Sequence, residues 1–503
     1  MSRHARHVRR LVLSAVLVFS AVLSLPAAVA ENSAVVPVQQ KGMARRHEQK
    51  VQAARAERYD LLLIGDSITH NLDLPPFKAV WDQFYGSRHA LNLGYSGART
   101  ENILWNLQNG ELENQAPKVA VLLIGTNNCD DANYPVVHTA EQIAEGTAAI
   151  VKLLREKTPD TKILLLRIFP RTNIYRVRGA SPGDGKTLPE RGDWRKRFQT
   201  NLRASQLVAK LADGKMVHFL DVNHVFLRLD GTIDPDLMGD LLHPSPRGAL
   251  AWARAMEPVL CELMGDKNRD TATVENTALI PVPKLENDSY DWYARHAEEL
   301  KVREQMKAEI VMIGDSITHF WAGEPQARIQ NGPKAWAELF GSRRVLNLGF
   351  GWDRTQNVLW RLDHGEFDGL SPRYVVINIG TNNFSTTAHA KANTPAQVAE
   401  AIRAICIRIR SKSPNSKIIV MGVLPRGQKP DNPYRTRIRE LNSLLPDAIK
   451  APGITFLDIG AKFLAADGEL PRALMRDYCH PSEQGYAIWA EALKPLLAGP
   501  VEK

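Results

Sequence analysis

The sequence predicts two α/β domains in tandem, each built on a parallel sheet with helices on both faces. The first observation is an internal repeat: LLLIGDSITH at 61–70 returns as IVMIGDSITH at 310–319, and VLLIGTNN at 121–128 returns as VINIGTNN at 376–383. The second is that short apolar runs alternate with helical patterns in each repeat, which favours parallel strands joined by helices. Blocks that recur 249 to 255 residues apart indicate a duplicated domain, because solenoid units are far shorter.

Five apolar runs of the first repeat are predicted as strands. None of them alternates with polar residues, which is typical of strands buried on both faces. The helices between the strands carry apolar residues three and four apart, as in Ala140–Lys157 and its counterpart Pro395–Ser411. In such a sheet, functional residues collect beyond the carboxyl ends of the strands. The five runs are Leu61–Ile64, Ala90–Leu93, Val119–Ile124, Ile163–Ile168 and Val217–Leu220.

The start of the chain predicts export. Residues 1–30 combine a basic segment, an apolar run of about 15 residues and an Ala-Val-Ala end, which is typical of a secretory signal peptide. An uncleaved N-terminal anchor is the alternative. We expect a secreted or periplasmic protein without stable membrane insertion after signal removal, because no later apolar run reaches 18 residues. The predicted units are a signal peptide at 1–30, a first domain at 31–264, a linker at 265–290 and a second domain at 291–503.

Composition excludes several classes of protein. With 44% hydrophobic and 24% charged residues, the chain is neither disordered, collagen-like nor a multispan membrane protein. The net charge is +9, and four of those charges are arginines within residues 1–30, so no nucleic-acid partner is expected. The four cysteines show no metal-ligand spacing, and there is no G-x-G-x-x-G motif or P-loop. We therefore predict neither a metal nor another cofactor.

Three motifs at predicted strand ends carry the side chains that acyl transfer requires. G-D-S-I-T offers a serine at a strand-to-helix turn, D-x-x-H offers a carboxylate that can orient an imidazole, and G-T-N-N offers an amide to an oxyanion. Each motif alone is weak evidence, because G-D-S is a common helix cap and D-x-x-H a common surface pair. Their strength is that all three recur, in one order, in both repeats. The residues are Ser67, Asn127, Asp240 and His243 in the first repeat, and Ser316, Asn382, Asp477 and His480 in the second.

Together with L-N-x-G and the downstream L-W-x-L-x-x-G-E, these motifs resemble the SGNH (GDSL) hydrolase family. Each repeat is similar to the catalytic subunits of the platelet-activating-factor acetylhydrolases. The resemblance covers about residues 45–262 and 293–498. It implies two tandem flavodoxin-like, three-layer α/β/α domains with parallel sheets, the SGNH hydrolase fold, and it implies a serine esterase without a cofactor.

The resemblance also implies a role for each residue. Ser67 is the nucleophile, His243 the base and Asp240 the group that orients it. The oxyanion hole consists of the backbone N–H groups of Ser67 and Gly97 and the side chain of Asn127. In the second repeat the same roles fall to Ser316, His480, Asp477 and Asn382, with Trp352 at the position of Gly97.

Two departures from the family pattern lie in the segment that contains Gly97 in the first repeat and Trp352 in the second. The first repeat reads G-Y-S-G-A-R-T, so Ala98 replaces a common Asp, and the second reads G-F-G-W-D-R-T. The backbone N–H of Trp352 can still donate, although a positive φ would strain the residue. Its indole either narrows the pocket or stacks on a sugar ring. We expect activity in both repeats, because neither has lost its Ser, Asp, His or Asn.

These observations predict an exported serine esterase that removes short acyl groups, above all acetyl, from a carbohydrate or another polar ester, with one site in each domain. A lysophospholipase or thioesterase is one alternative, and a glycan-binding protein with an inactive domain is another. The oligomeric state is not predicted. An insertion within 171–198 is interpreted either as a lid or as a neutral surface loop. His70 and His319, after the nucleophile, are expected to face solvent.

Overall fold

The computed structural model describes residues 32–172, 193–272 and 275–498. The predicted signal peptide and most of the insertion within 171–198 lie outside these residues. The described chain forms two five-stranded parallel sheets, one in each repeat, which confirms the predicted tandem α/β fold. The strands are β1 (Leu61–Gly65), β2 (Ala90–Gly94), β3 (Val119–Leu123), β4 (Lys162–Leu166) and β5 (Val217–Leu220), followed by β6 (Ile310–Gly314), β7 (Val345–Gly349), β8 (Tyr374–Asn378), β9 (Lys417–Met421) and β10 (Ile454–Leu457).

The two sheets share one topology. The strand order is β2-β1-β3-β4-β5 in the first domain and β7-β6-β8-β9-β10 in the second. The register pairs Gly65 of β1 with Gly94 of β2 and with Leu123 of β3, so the three strands end at the same edge. The loops that follow these strands are therefore brought together, and they carry G-D-S-I-T, the residues after L-N-x-G, and G-T-N-N. The D-x-x-H motif reaches the same edge from the segment between β5 and α7.

Helices cover both faces of each sheet. In the first domain Leu63 of β1 packs in one apolar cluster with Trp252, while its neighbour Leu62 packs in another with Ile103 and Ile150. Successive strand residues point to opposite faces, so two apolar faces require the unbroken apolar run seen in the sequence. The helices are α1 (Ala44–Ala56), α2 (Ser67–His70), α3 (Lys78–Phe84), α4 (Thr100–Asn106), α5 (Ala140–Lys157), α6 (Trp194–Val208), α7 (Pro246–Met264), α8 (Trp292–Met306), α9 (Ser316–His319), α10 (Pro333–Phe340), α11 (Thr355–Asp363), α12 (Pro395–Lys412), α13 (Pro433–Ala448) and α14 (Glu483–Leu497).

The two long helices predicted from periodicity are present. Helix α5 has the predicted bounds, and α12 ends at Lys412, one residue beyond the prediction. Each begins with a threonine whose side chain accepts from the backbone three residues on, while a glutamine returns the bond. This capping box satisfies N–H groups that have no partner within the helix.

The linker is predicted at 265–290, and its second half packs on the second domain. The hydroxyl of Thr355 donates to the carbonyl oxygen of Ala278 at 3.1 Å. The first domain has the same contact from Thr100 to Ala34 at 2.9 Å. The repeated unit therefore begins ahead of α1 and α8, in segments whose sequences differ.

A buried group of charges joins the domains. Asp221, which follows β5, accepts from Arg167 at 2.7 Å and lies 3.2 Å from the ammonium of Lys412, at the end of α12. Lys412 also pairs with Asp368 at 2.6 Å, and Arg167 donates to the carbonyl oxygen of Ser411 at 2.9 Å. Although burial opposes ionisation, Arg167 and Lys412 hold the pKa of Asp221 well below its ordinary value. The charges compensate one another across the domain contact.

Candidate active site

Each G-D-S-I-T motif forms the tight connection between the first strand of its domain and a short helix. Asp66 precedes α2, and its side chain accepts from the backbone N–H of Ile68 at 2.9 Å. Asp315 makes the same bond to Ile317 in the second domain. Both aspartates are almost completely buried, and burial raises the pKa of each carboxyl to about 6. The turn places Ser67 and Ser316 at the carboxyl edge of the sheets.

The structure brings serine, histidine and aspartate together in the first domain. Ser67 Oγ lies 2.8 Å from His243 Nε2, and His243 Nδ1 lies 2.6 Å from Asp240 Oδ2. The serine and the histidine are 176 residues apart in the chain. The geometry is that of a hydroxyl beside a base whose other ring nitrogen is held by a carboxylate.

The second domain repeats this arrangement. Ser316 Oγ lies 2.8 Å from His480 Nε2, and His480 Nδ1 lies 2.7 Å from Asp477 Oδ2. Burial opposes ionisation of both aspartates, but the hydrogen bonds of His243 and His480 hold the pKa values of Asp240 and Asp477 below the ordinary value. Both carboxylates are therefore ionised at neutral pH.

The D-x-x-H motif forms a strained turn instead of regular helix. Leu241 and Tyr478, each directly after the aspartate, adopt φ values of 58° and 60°. This conformation is costly for residues with a side chain. Asp240 Oδ1 accepts from the backbone N–H of His243 at 2.7 Å, and Asp477 makes the same bond to its own histidine. These bonds hold the turn and leave the second carboxylate oxygen for the ring.

Two loops that follow β2 and β7 complete the site. We call residues 94–99 and 349–354 the oxyanion loops, after the role that the family resemblance implies for Gly97 and Trp352. Gly97 has φ 79° and Trp352 has φ 63°, so both positions are left-handed. The side-chain amide of Asn127 donates to the carbonyl oxygen of Ala98 at 3.0 Å, and that of Asn382 donates to Asp353 at 3.1 Å. A primary amide has two N–H donors, so each asparagine retains one for a further acceptor.

The two loops differ in what surrounds the left-handed residue. In the first domain a Cβ on Gly97 would lie 3.0 Å from the hydroxyl of Tyr134 and 3.4 Å from the amide of Gln40. In the second domain Trp352 carries a full side chain there and is 37% exposed. The position that is closed over in the first domain therefore presents an indole to solvent in the second.

The loops also differ beneath the surface. Asp353 accepts from Trp292 at 2.8 Å and from Arg361 at 2.9 Å, all of them buried, and burial raises the pKa of Asp353 to about 7. The first domain has Ala98 and Asn106 at the positions of Asp353 and Arg361. The sequence shows that the second repeat has an aspartate and an arginine, eight residues apart, where the first repeat has neither. We did not predict that these two residues pair.

The expectation that His70 and His319 face solvent is wrong. His319 is 4% exposed, and His70 is half-buried. Each imidazole lies under the oxyanion loop, because α2 and α9 run beneath it. The recurrence of histidine at the same place in both repeats was the only signal of this position in the sequence.

Within residues 32–172, 193–272 and 275–498, no group of three or more His, Cys, Asp or Glu side chains is arranged to hold a metal ion. No helix of that part of the chain is long and apolar enough to cross a membrane. The four cysteines, all in the described part, are unpaired.

Comparisons with known proteins match both domains to one family. The sequence model of the GDSL-like Lipase/Acylhydrolase family matches residues 63–251 and 312–488, once in each domain. Platelet-activating factor acetylhydrolase IB subunit alpha1 of Rattus norvegicus is 36% identical over 226 residues, which are 44% of this chain and 90% of that protein. Subunit alpha2 of the same organism is 33% identical over 224 residues, again 44% and 90%.

Among solved structures, an acetylxylan esterase from Geobacillus stearothermophilus aligns at 20% identity with a TM-score of 0.31, covering 39% of this chain and 96% of that one. The two family matches together span more than half of the sequence. The chain therefore belongs to the GDSL-like lipase/acylhydrolase family, in two tandem copies, and is a carboxylic ester hydrolase.

Proposed function

We propose that this protein is an exported serine esterase that releases short acyl groups, acetyl above all, from a carbohydrate or another polar ester, with one site in each domain. The observation that carries the proposal is the hydrogen-bonded series of serine, histidine and aspartate at 2.8 and 2.6 Å in the first domain and at 2.8 and 2.7 Å in the second. Neither domain has lost a member of this set.

In the first step Ser67 Oγ attacks the ester carbonyl while His243 Nε2 takes its proton. Asp240 accepts from Nδ1–H, which fixes the ring tautomer and stabilises the imidazolium. The carbonyl oxygen becomes an oxyanion, and the backbone N–H groups of Ser67 and Gly97 and the amide of Asn127 donate to it. His243 then returns the proton to the leaving alkoxide, which departs as an alcohol and leaves an acyl-serine.

In the second step water attacks the acyl-serine. His243 takes a proton from the water, the second tetrahedral intermediate collapses, and the proton returns to Ser67 Oγ as the carboxylic acid leaves. In the second domain the roles of nucleophile, base and orienting carboxylate belong to Ser316, His480 and Asp477. There the backbone N–H of Trp352 and the side chain of Asn382 donate to the oxyanion.

The choice of acyl group and of alcohol rests on two observations. The curated relatives are named acetylhydrolases, which supports a short acyl group. The exposed indole of Trp352 beside the second site offers a flat apolar surface of the kind that sugar rings stack on.

Serine variants test the number of sites. With a fluorophosphonate probe and p-nitrophenyl acetate, Ser67→Ala and Ser316→Ala should each keep one labelled serine and part of the activity, and the double variant should lose both. Ser87→Ala, an exposed serine in the first domain, is the matched control. Full activity in the double variant would refute the proposed mechanism, and no loss in one single variant would assign all activity to the other domain.

A substrate panel tests the acyl group and the alcohol. We expect acetate release from acetylated oligosaccharides to exceed fatty-acid release from lysophosphatidylcholine by at least about tenfold in kcat/KM, which is a difference of about 1.4 kcal/mol. The reverse order would establish a lipid acylhydrolase. Binding of the oligosaccharide without turnover would favour a glycan-binding protein.

Export is tested separately. When the full chain is produced in a bacterium with a secretion pathway, the protein recovered outside the cytoplasm should begin at Glu31, as read by N-terminal mass spectrometry. Retention of Met1 on a membrane-bound product would establish an anchor.

A further inference from the structure

We infer that the oxyanion loop of each domain is held in place by a two-sided clamp, and that the clamp residues, Gln40 and His70 in the first domain and Tyr290 and His319 in the second, position the backbone oxyanion donor. The inference rests on the proposed function, since it concerns the same site. It gives a role to four residues that belong neither to the serine, histidine and aspartate of each site nor to Asn127 and Asn382. None of the four touches the reacting atoms, so they are positioning residues.

The first side of the clamp is the histidine. His70 Nδ1 lies 3.1 Å from the backbone nitrogen of Ser96 and 2.9 Å from its hydroxyl. His319 Nδ1 lies 3.2 Å from the backbone nitrogen of Gly351. A backbone N–H can only donate, so Nδ1 must be unprotonated and act as the acceptor. Ser96 and Gly351 are the residues directly before Gly97 and Trp352.

The second side is a donor to the carbonyl group of the same residue. Gln40 donates to the carbonyl oxygen of Ser96 at 2.7 Å, and the Tyr290 hydroxyl donates to that of Gly351 at 3.2 Å. Both donors come from the segments that precede α1 and α8. The two domains thus make the same contact with side chains of different type.

The carbonyl contact decides where the oxyanion donor points. The carbonyl of Ser96 and the N–H of Gly97 belong to one peptide unit, which is trans. In a planar trans peptide these two groups point in opposite directions. Holding the carbonyl against Gln40 therefore directs the N–H of Gly97 away from it, and Tyr290 does the same for Trp352. The histidine fixes the preceding peptide unit, so the loop cannot rotate about Ser96 or Gly351.

The surroundings keep the imidazoles in the accepting form. Burial lowers the pKa of His70 to about 4, and the charges of Arg46 and, more weakly, Lys50 lower it further, while Asp73 acts to raise it. Burial likewise lowers the pKa of His319 far below its ordinary value, and Arg295 and Arg361 add to it. A neutral ring at neutral pH is what the bond from the backbone requires.

The fold also brings the loop within reach of the ring. A Cβ on Gly94 would lie 2.3 Å from the backbone nitrogen of His70, and one on Gly349 would lie 2.3 Å from that of His319. Any side chain there would push the strand end away from the helix. In the second domain Tyr290 also packs edge-on against His319, with ring centroids 4.8 Å apart.

The clamp explains how a tryptophan tolerates the left-handed conformation. A non-glycine residue at positive φ persists only where its surroundings over-determine the backbone. Trp352 follows a residue that is held at both its N–H and its carbonyl group, so the strain cannot relax by loop rotation. The clamp therefore holds the peptide unit that carries the N–H of Trp352, while the residue itself keeps φ 63°.

The test uses the full chain with Ser67→Ala, so that only the second site works, and p-nitrophenyl acetate as substrate. Tyr290→Phe removes one oxygen, His319→Phe removes the acceptor, and His319→Asn restores an acceptor near the position of Nδ1. Tyr293→Phe, an exposed tyrosine three residues away, is the matched control. Thermal unfolding reports whether each variant folds.

Because the donor is misaligned rather than lost, we expect kcat to fall about tenfold in Tyr290→Phe and His319→Phe, less than the 10²–10³ that follows loss of a donor, with KM within about twofold. His319→Asn should recover most of the loss. A kcat within about twofold of the parent for Tyr290→Phe, or equal kcat for His319→Asn and His319→Phe, would overturn the inference. If His319→Phe does not fold, the kcat of Tyr290→Phe alone tests the clamp. A parent without esterase activity would overturn the proposed second active site together with the clamp, whereas an active parent with unaffected variants would overturn the clamp alone.

Discussion

The hydroxyl of Tyr134 donates to the carbonyl oxygen of Gly97 at 2.7 Å and lies 3.0 Å from where the Cβ of a side chain at that position would stand. The corresponding position of the second domain carries the indole of Trp352. One duplicated loop therefore closes its outer face with a neighbouring tyrosine, and the other exposes a ring of its own. Under the proposed function, the two sites would present different surfaces to the alcohol part of an ester while sharing the same set of serine, histidine and aspartate.

The first prediction concerns Trp352→Gly in the Ser67→Ala chain. The backbone N–H remains, so kcat on p-nitrophenyl acetate should stay within about threefold of the parent. Loss of an aromatic contact worth about 1 kcal/mol should raise KM for an acetylated oligosaccharide about fivefold. Steady-state kinetics on both substrates measure this. Equal KM values for parent and variant on the oligosaccharide would show that the ring does not touch it.

The reverse change, Gly97→Trp in the Ser316→Ala chain, should inactivate the first site. Its Cβ would meet Tyr134 at 3.0 Å, and φ 79° is costly for a side chain. We expect kcat to fall at least about tenfold through the displaced donor. The double variant Gly97→Trp with Tyr134→Ala should regain part of the rate, and a rate no better than that of the single variant would mean that crowding by Tyr134 is not the cause.

Asp240→Asn in the Ser316→Ala chain should lower kcat by about 10⁴, because an amide facing Nδ1 favours the wrong ring tautomer. Asp477→Asn should do the same in the Ser67→Ala chain. Asp236→Asn, an exposed aspartate in the same loop, is the control and should retain full activity. A loss below about tenfold in Asp240→Asn would show that the carboxylate does not act through His243.

Asp315→Asn should become more stable relative to the natural protein as the pH rises. The folded-state pKa of Asp315 is raised to about 6, so the natural protein loses stability as pH climbs from the unfolded pKa through 6. The variant has no such titration and keeps an oxygen that can cap Ile317. Urea unfolding should show the difference growing by about 2–3 kcal/mol between pH 4 and pH 7, since one pKa unit is 1.36 kcal/mol. A difference that is constant with pH would contradict the prediction.

Lys412→Met should weaken the contact between the domains. Both Lys412 and Asp221 are about 5% exposed, and breaking a buried ion pair costs about 3 kcal/mol because one charge loses its partner. The first thermal transition should move to lower temperature, whereas Lys301→Met on an exposed helix surface should have little effect. The ion pair requires ionised Asp221, whose pKa is lowered in the folded protein. The pair therefore contributes fully to stability above about pH 4, and this contribution is lost as the pH falls further. Equal transitions for Lys412→Met and Lys301→Met would show that the pair does not stabilise the contact.

Local patterns in the sequence determined the strands, the long helices and the G-D-S-I-T turn. A strand buried on both faces must be an unbroken apolar run, and Val119–Leu123 is one. Because parallel strands end at one edge, Ser67 and Asn127 could be placed near each other from their positions after β1 and β3. The duplication then assigned the same elements to the second half.

Only the tertiary structure decided the conformations and contacts that depend on distant parts of the chain. The left-handed turn at Leu241, the burial of His319 and the pairing of Asp221 with Lys412 leave no periodic signal, since each is set by what packs against it. Gln40 and Tyr290 are the clearest case, because two unlike residues in dissimilar segments make the same contact with the carbonyl groups of Ser96 and Gly351. A hydrogen bond constrains where a donor lies but not which residue supplies it. The sequences of the two segments that precede α1 and α8 therefore do not identify the contact.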